Sequence, residues 1–181
     1  MLKTFRIGGV YPKENKLTAG KIIETVSIPK EVVVPLAQHI GAPCQVVVKR
    51  GEIVKVGTLL GKSVGFVSAN IHSPVSGKVK KTDREFDASG YKRESVIIEV
   101  EGDEWEESID RTDDLIRENN LSASEIVQKI SEAGIVGMGG ATFPTHVKLT
   151  PPPGTKAELL IINGVECEPY LTSDHALMMA K

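Results

Sequence analysis

Cysteine, aromatic side chains, surplus charge and long apolar runs are all scarce in this 181-residue sequence, and each shortage removes a class of function. The two cysteines, Cys44 and Cys167, stand far apart, which excludes a multi-disulfide framework and any self-contained four-cysteine zinc or iron–sulfur site. A single disulfide stays open. Four Phe, three Tyr and one Trp leave little for a base-stacking platform. With 22 basic against 24 acidic residues, and Lys and Arg scattered, there is no electrostatic footprint for nucleic acid. No run reaches the roughly 18 apolar residues of a membrane span, and Met1–Gly9 has no apolar core of signal-peptide length. The expectation is a cytosolic chain with reduced thiols, attached to a membrane only through partners.

What is present is ordinary globular material, 40% apolar with 17 Gly, enough for one core or two small domains. From Lys21 to Val100 short β-rich runs alternate with Gly and Pro: Ile22–Ile28, Val46–Lys49, Ile53–Val56, Val64–Ser68, Gly77–Lys81 and Ser95–Val100. That spacing predicts a small antiparallel barrel or sandwich. Residues 101–114 carry eight acids against one Arg, a self-repelling composition expected to be a solvated linker or surface turn. Beyond it, Ser122 and Glu125 have capping-box spacing and Ile126, Val127 and Ile130 recur at helical intervals, predicting a helix over 122–133 that ends at Gly134. Pro151–Gly154 reads as a rigid connection, Glu158–Ile162 as a short buried strand, and Thr172–Lys181 as the start of a helix capped by Ser173 or Asp174. The expected division is a β-rich domain with an N-terminal arm over 1–100, an acidic linker over 101–121 and an α/β segment over 122–181.

Val48–Gly61 resembles the first half of a biotinyl/lipoyl-type barrel, and Ile71–Val79 its second half. In such carriers the modified lysine lies eight residues before the proline matched by Pro74, and here that position is Phe66. Without an ε-amine there is nothing to acylate, so the barrel is expected to bind a neighbour or prop up the second domain. His39 and His72 lack a metal-spaced partner and read as structural or surface histidines.

Two segments carry chemistry. Gly137, Gly139 and Gly140 fall within four residues and let the backbone approach a ligand closely, their amides can form an anion-holding nest, and Lys148 adds a positive charge. The Walker ending and the dinucleotide Gly-x-Gly-x-x-Gly spacing are both missing, so the loop alone is equally readable as a plain turn. In the second segment, Asn163, Glu166 and Glu168 follow the expected strand. Carboxylates two residues apart in extended chain point the same way, and Asn163 offers a donor and an acceptor. An ordinary acidic loop before Pro169 is the alternative. Cys167, facing the other way, reads as a packed thiol.

Together these segments resemble the NADH- and FMN-binding domain of the flavoprotein subunit of respiratory complex I, with the pattern Gly-x-Gly-Gly-Ala-Gly-Phe-Pro-x-Gly-x-Lys followed by Asn-x-Asp-Glu-x-Glu-Pro. Over its whole length the chain is more similar to the RnfC family, the C component of Rnf electron-transport complexes, through Gly8–Lys16, Pro35–Pro43, Ser68–His72 and Asn163–His175. The resemblance implies an α+β chain: a barrel-sandwich hybrid, then an incomplete α/β flavin- and NAD-binding domain. It implies that Gly137, Gly139, Gly140 and Lys148 hold phosphates of FMN and the nicotinamide nucleotide, with Phe143 near the rings. Asn163, Glu166 and Glu168 would hydrogen-bond flavin and NAD(H). No catalytic or metal-ligating residue is assigned.

Thr142 and His146 replace glycines of the complex I pattern, Leu149 a Trp and Val165 an Asp. The family implies [4Fe-4S] clusters downstream, so the 181 residues are expected to be the N-terminal part of a longer protein, binding FMN weakly or not at all alone. Implied partners are NAD(H), the other subunits of a membrane complex at the cytoplasmic face, and ferredoxin through that complex. Two alternatives are the A component of a sodium-translocating NADH:quinone reductase, expected to lack the nucleotide site, and a non-catalytic docking module. The intact glycine loop and the Glu166/Glu168 pair favour the Rnf family.

Overall fold

A computed structural model describes residues 12–112, 114 and 118–180, which divide into two units, 27–156 and 12–26 with 157–180. Gly8–Tyr11 of the first family motif, Asp113 of the acidic run and Lys181 lie outside the described residues.

The larger unit is built on two antiparallel sheets. One has the order β1 (Glu31–Pro35), β7 (Lys92–Val100), β6 (Gly77–Phe86), β3 (Ile53–Val54); the other has β2 (Gln45–Val46), β4 (Leu59–Lys62), β5 (Ile71–His72). Short apolar stretches from both sheets meet in a single core that includes Val34, Leu36, Cys44, Val54, Leu60, Ile71, Val79, Val96 and Ile98. Burying a side chain such as Leu60 contributes about 2–3 kcal/mol. This is the barrel-sandwich architecture expected, with strands shorter than expected at β2 and β3 because the chain turns corners there. Gly77 shows why one carrier-type glycine is needed: its φ is +152°, and a Cβ would lie 2.1 Å from the Glu99 carbonyl oxygen across the ladder. Burial pushes the Cys44 thiol up from its ordinary value and so favours the protonated form, offset in part by a hydrogen bond with Ser68.

Two expected strands of this region are absent. Residues 22–28 form no strand, with Ile22, Val26 and Ile28 exposed, because no neighbouring strand among the described residues offers them a ladder. Val64–Ser68 is instead the bent loop joining β4 to β5, held by Ser63 N–H donating to Asn70 Oδ1 and Val64 N–H to Ser68 Oγ.

The acidic segment uses its backbone more than its charges. Val56 N–H donates to the Glu104 carbonyl, Glu106 N–H donates to the Val56 carbonyl, and Ile109 packs on Gly57. Arg111 lies over the Trp105 ring, 4.4 Å from its centroid.

Helix α1 (Ala123–Glu132) has the capping box expected: the Ser122 hydroxyl accepts from Glu125 N–H while the Glu125 carboxylate accepts from Ser122 N–H. It ends in a Schellman motif in which Gly134, at φ +68°, donates to the Ser131 carbonyl and Ile135 to that of Ile130. Its half-buried apolar side packs on the four-residue α2 (Thr145–Lys148).

In the smaller unit the expected strand Glu158–Ile162 does not form. Leu159 to Ile162 are 70–78% exposed, since an apolar run becomes a strand only beside partners and none of the described residues pairs with it. Helix α3 (Ser173–Ala180) begins where expected, but Ser173 and Asp174 lie inside its first turn rather than capping it. Among the described residues no helix is long and apolar enough to cross a membrane.

Candidate functional site

The glycine loop is a small closed protrusion. Val136 and Pro144 form an antiparallel bridge, Gly137 N–H donates to the Phe143 carbonyl at 2.9 Å, and Thr145 N–H donates to the Ile135 carbonyl at 3.0 Å. Between these stems the chain turns through Gly140 at φ +59° and Thr142 at φ +49°. Thr142 occupies a region where a β-branched residue is strained, at a position that the complex I pattern gives to glycine. Among the described residues, the amides of Met138, Gly139, Gly140 and Ala141 have no hydrogen-bond partner.

Lys148, at the end of α2, turns back on this loop. A Cβ on Gly137 would come within 3.0 Å of its ammonium nitrogen, so a larger residue there would displace the charge. Consecutive free amides with an ammonium beside them are the donor set that a phosphate ester needs, and these residues fit such a group. Phe143 is half-buried at the stem, while Met138 at the tip is 93% exposed.

The second segment belongs to the other unit. Asn163 Oδ1 accepts from Val165 N–H at 3.0 Å, an Asx turn that replaces the extended geometry expected of this stretch. Glu166 Oε1 accepts from His175 N–H at 3.3 Å, in the first turn of α3, which is the capping role expected of Ser173 or Asp174. Its other oxygen, Oε2, is buried without a hydrogen-bond partner. Glu168 is exposed, and its main-chain carbonyl accepts from Lys16 Nζ at 3.3 Å. Among the described residues the two carboxylates share no hydrogen-bond partner. Cys167 is exposed rather than packed, because the alternation that would have turned it inward requires an extended strand.

The arm residues 14–18 frame this segment. Tyr170 N–H donates to the Glu14 carbonyl at 2.8 Å, and Lys16 Nζ donates to the Leu171 carbonyl at 2.7 Å. A cavity of about 690 Å³ opens beside them, lined by Lys16, Ile22, Glu166, Leu171, His175 and Met179. Glu166 joins an otherwise largely apolar wall there.

Sequence reasoning missed Lys16, Tyr170 and His146. The first two hold main-chain groups, which leave no side-chain pattern to detect. His146 is buried, and its Nε2 lies 2.9 Å from the Phe66 carbonyl oxygen. Its signal was available: His146 is one of four departures from the complex I pattern, and Phe66 stands where the carrier pattern has lysine. His39, expected to be structural, hydrogen-bonds to the backbone of Ala69.

The family model described as the RnfC barrel sandwich hybrid domain matches residues 3–103, and that of the Nuo51 FMN-binding domain matches 130–181. The C component of a proton-translocating ferredoxin:NAD(+) oxidoreductase complex from Clostridium ljungdahlii is 50% identical over 99% of the chain and 39% of its own length. The corresponding component of a Na(+)-translocating complex from Acetobacterium woodii is 43% identical over 98% of the chain and 40% of its own length. That of an ion-translocating oxidoreductase complex from Rhodobacter capsulatus is 43% identical, over 98% of the chain and 34% of its own length. The chain thus spans two fifths or less of these relatives.

Proposed function

The chain belongs to the RnfC family, whose barrel sandwich hybrid domain covers more than half of it, and from that membership we propose that it serves electron transfer in an ion-translocating oxidoreductase complex of Rnf type. Gly139, Gly140 and Lys148 hold phosphates of FMN and of NAD(H), Gly137, whose own amide is taken by the Phe143 carbonyl, leaves room for the Lys148 ammonium, and Phe143 stands near the rings. Asn163, Glu166 and Glu168 hydrogen-bond flavin and nicotinamide nucleotide. A bound flavin supplies the step between hydride transfer, which moves electrons in pairs, and iron–sulfur clusters, which take them singly. The chain's own part is to bind, orient and shield. The observation that carries this reading is the run of unpaired amides at 138–141 beside the Lys148 ammonium.

The family resemblance, together with the relatives' names, extends the proposal. [4Fe-4S] clusters lie outside these 181 residues, since two distant cysteines cannot hold one. The partners are the other subunits of the complex, NAD(H), and ferredoxin reached through the complex, at the cytoplasmic face of a bacterial membrane. We also propose the division into 1–100, 101–121 and 122–181 as barrel, connection and flavin-domain portion.

The test uses the full-length protein in its complex. Replacing Glu166 and Glu168 together by Gln is expected to abolish most NADH-linked reductase activity and weaken FMN binding in a fluorescence titration. Unchanged activity would instead support a docking module.

A further inference from the structure

The loop between β4 and β5, residues 63–70, stands where carrier barrels display their lysine. Here it is tied at two points to the stems of the glycine loop. At the first, His146, 7% exposed, approaches the Phe66 carbonyl oxygen to 2.9 Å, with the two rings edge to face at 6.0 Å. A carbonyl oxygen only accepts, so Nε2 is the donor and the imidazole tautomer is set by this contact. At the second, Asn70 Nδ2 donates to the Glu132 carbonyl at 3.0 Å, and the Asn70 carbonyl oxygen lies 2.1 Å from where a Cβ on Gly134 would be. Gly134 begins the segment entering the glycine loop and His146 follows the segment leaving it.

A glycine-rich turn has more conformations to lose than any other, so free amides hold an anion well only if something outside the turn fixes its tilt. The ladder at Val136–Pro144 and Gly137–Phe143 closes the protrusion but leaves its orientation to the contacts below it. Those contacts include the packing of α1 on α2 and, from the β4–β5 loop, His146 and Asn70. We propose that the β4–β5 loop is a fixed brace for the nucleotide loop, and that His146 is the positioning residue that aims Gly137–Phe143 and Lys148 by gripping the Phe66 carbonyl. Its consequence for nucleotide affinity rests on the phosphate-holding function proposed above; its mechanical part does not.

The experiment compares wild type, His146→Leu and His146→Gln in the full-length protein. Leu keeps bulk but leaves the Phe66 carbonyl unpaired, whereas the Gln amide can still donate. Hydrogen–deuterium exchange at the hydrogen-bonded amides of the loop, Gly137, Thr142 and Thr145, is expected to quicken about tenfold in the Leu variant, as for loss of one partner of a buried hydrogen bond. The core strand β7 should not change. FMN affinity, read by fluorescence titration, should fall by a similar factor, and Gln should restore both.

Unaltered exchange in the Leu variant would overturn the proposal, and so would a Gln variant as impaired as Leu, which would mean packing alone. Wild type that fails to bind FMN would sink the phosphate-holding function, while the exchange result would still decide the brace. Should the Leu variant not fold, Asn70→Asp takes its place: it keeps the acceptor for Ser63 N–H and removes the donor to Glu132. The same loop-selective rise in exchange is expected, and its absence would refute the brace.

Discussion

Glu166 caps helix α3 from outside it: its Oε1 accepts the His175 amide at 3.3 Å, while Oε2 sits buried and, among the described residues, unpaired. One carboxylate thus serves a helix and keeps a spare acceptor. Glu166→Ala is expected to cost about 0.5–2 kcal/mol in helix stability, as for loss of an N-cap. The local readout is faster amide exchange at His175 and its neighbours, and unchanged protection there would refute the capping role.

The core prediction concerns Leu60, which is wholly buried among side chains of both sheets. Leu60→Ala should destabilise the barrel by about 2–5 kcal/mol in urea unfolding. Phe66→Ala, by contrast, should change stability by under about 1 kcal/mol, because that side chain is 61% exposed and its carbonyl makes the hydrogen bond.

Gly134→Ala combines two penalties. A left-handed φ of +68° costs an L-residue about 1–2 kcal/mol, and the new Cβ would meet the Asn70 carbonyl oxygen at 2.1 Å, forcing backbone to move. Gly90→Ala is the control, with φ +80° but open space around it. Equal losses in the two variants would mean that the Asn70 contact contributes nothing.

Thr142→Gly tests the strain in the nucleotide loop. Relief of a positive φ is worth about 1–2 kcal/mol, and the greater freedom of glycine in the unfolded chain takes back about 0.4–1 kcal/mol. A net gain of roughly 0.5–1 kcal/mol is expected in thermal unfolding. A loss would show that the Thr142 hydroxyl, which donates to the Ala141 carbonyl, outweighs the strain.

The capping box on α1 carries a pH dependence. Hydrogen bonds from the Ser122 hydroxyl and then the Ser122 amide hold the Glu125 carboxyl below its ordinary 4.5. A group depressed in the folded state stabilises it above the unfolded pKa, and that contribution is lost as pH falls through the folded one. Helix α1 should therefore loosen at its N-terminus below about pH 4.5, and Glu125→Gln should abolish that titration. Amide chemical shifts of Ser122–Glu125 followed against pH provide the measurement.

The parts of the structure that were legible in the sequence are those governed by local rules. The box at Ser122 and Glu125 and the stop at Gly134 depend on neighbours within a few residues. Glu158–Ile162 and Ile22–Ile28 are apolar enough for strands, but a strand is a relation between segments, and neither run contains its partner. The glycine loop was recognisable because close backbone approach demands glycine itself. His146 was noted only as a departure from glycine, since its partner is a carbonyl 80 residues away and main-chain oxygens look alike in every sequence.

Phe66 stands where a carrier barrel would mount its mobile arm, and there the chain is pinned. A carrier works by travel, so its rate depends on how fast a tether sweeps through solvent. A barrel held at that point works across set distances, and on the proposed function its electron transfer should not slow when solvent viscosity is raised.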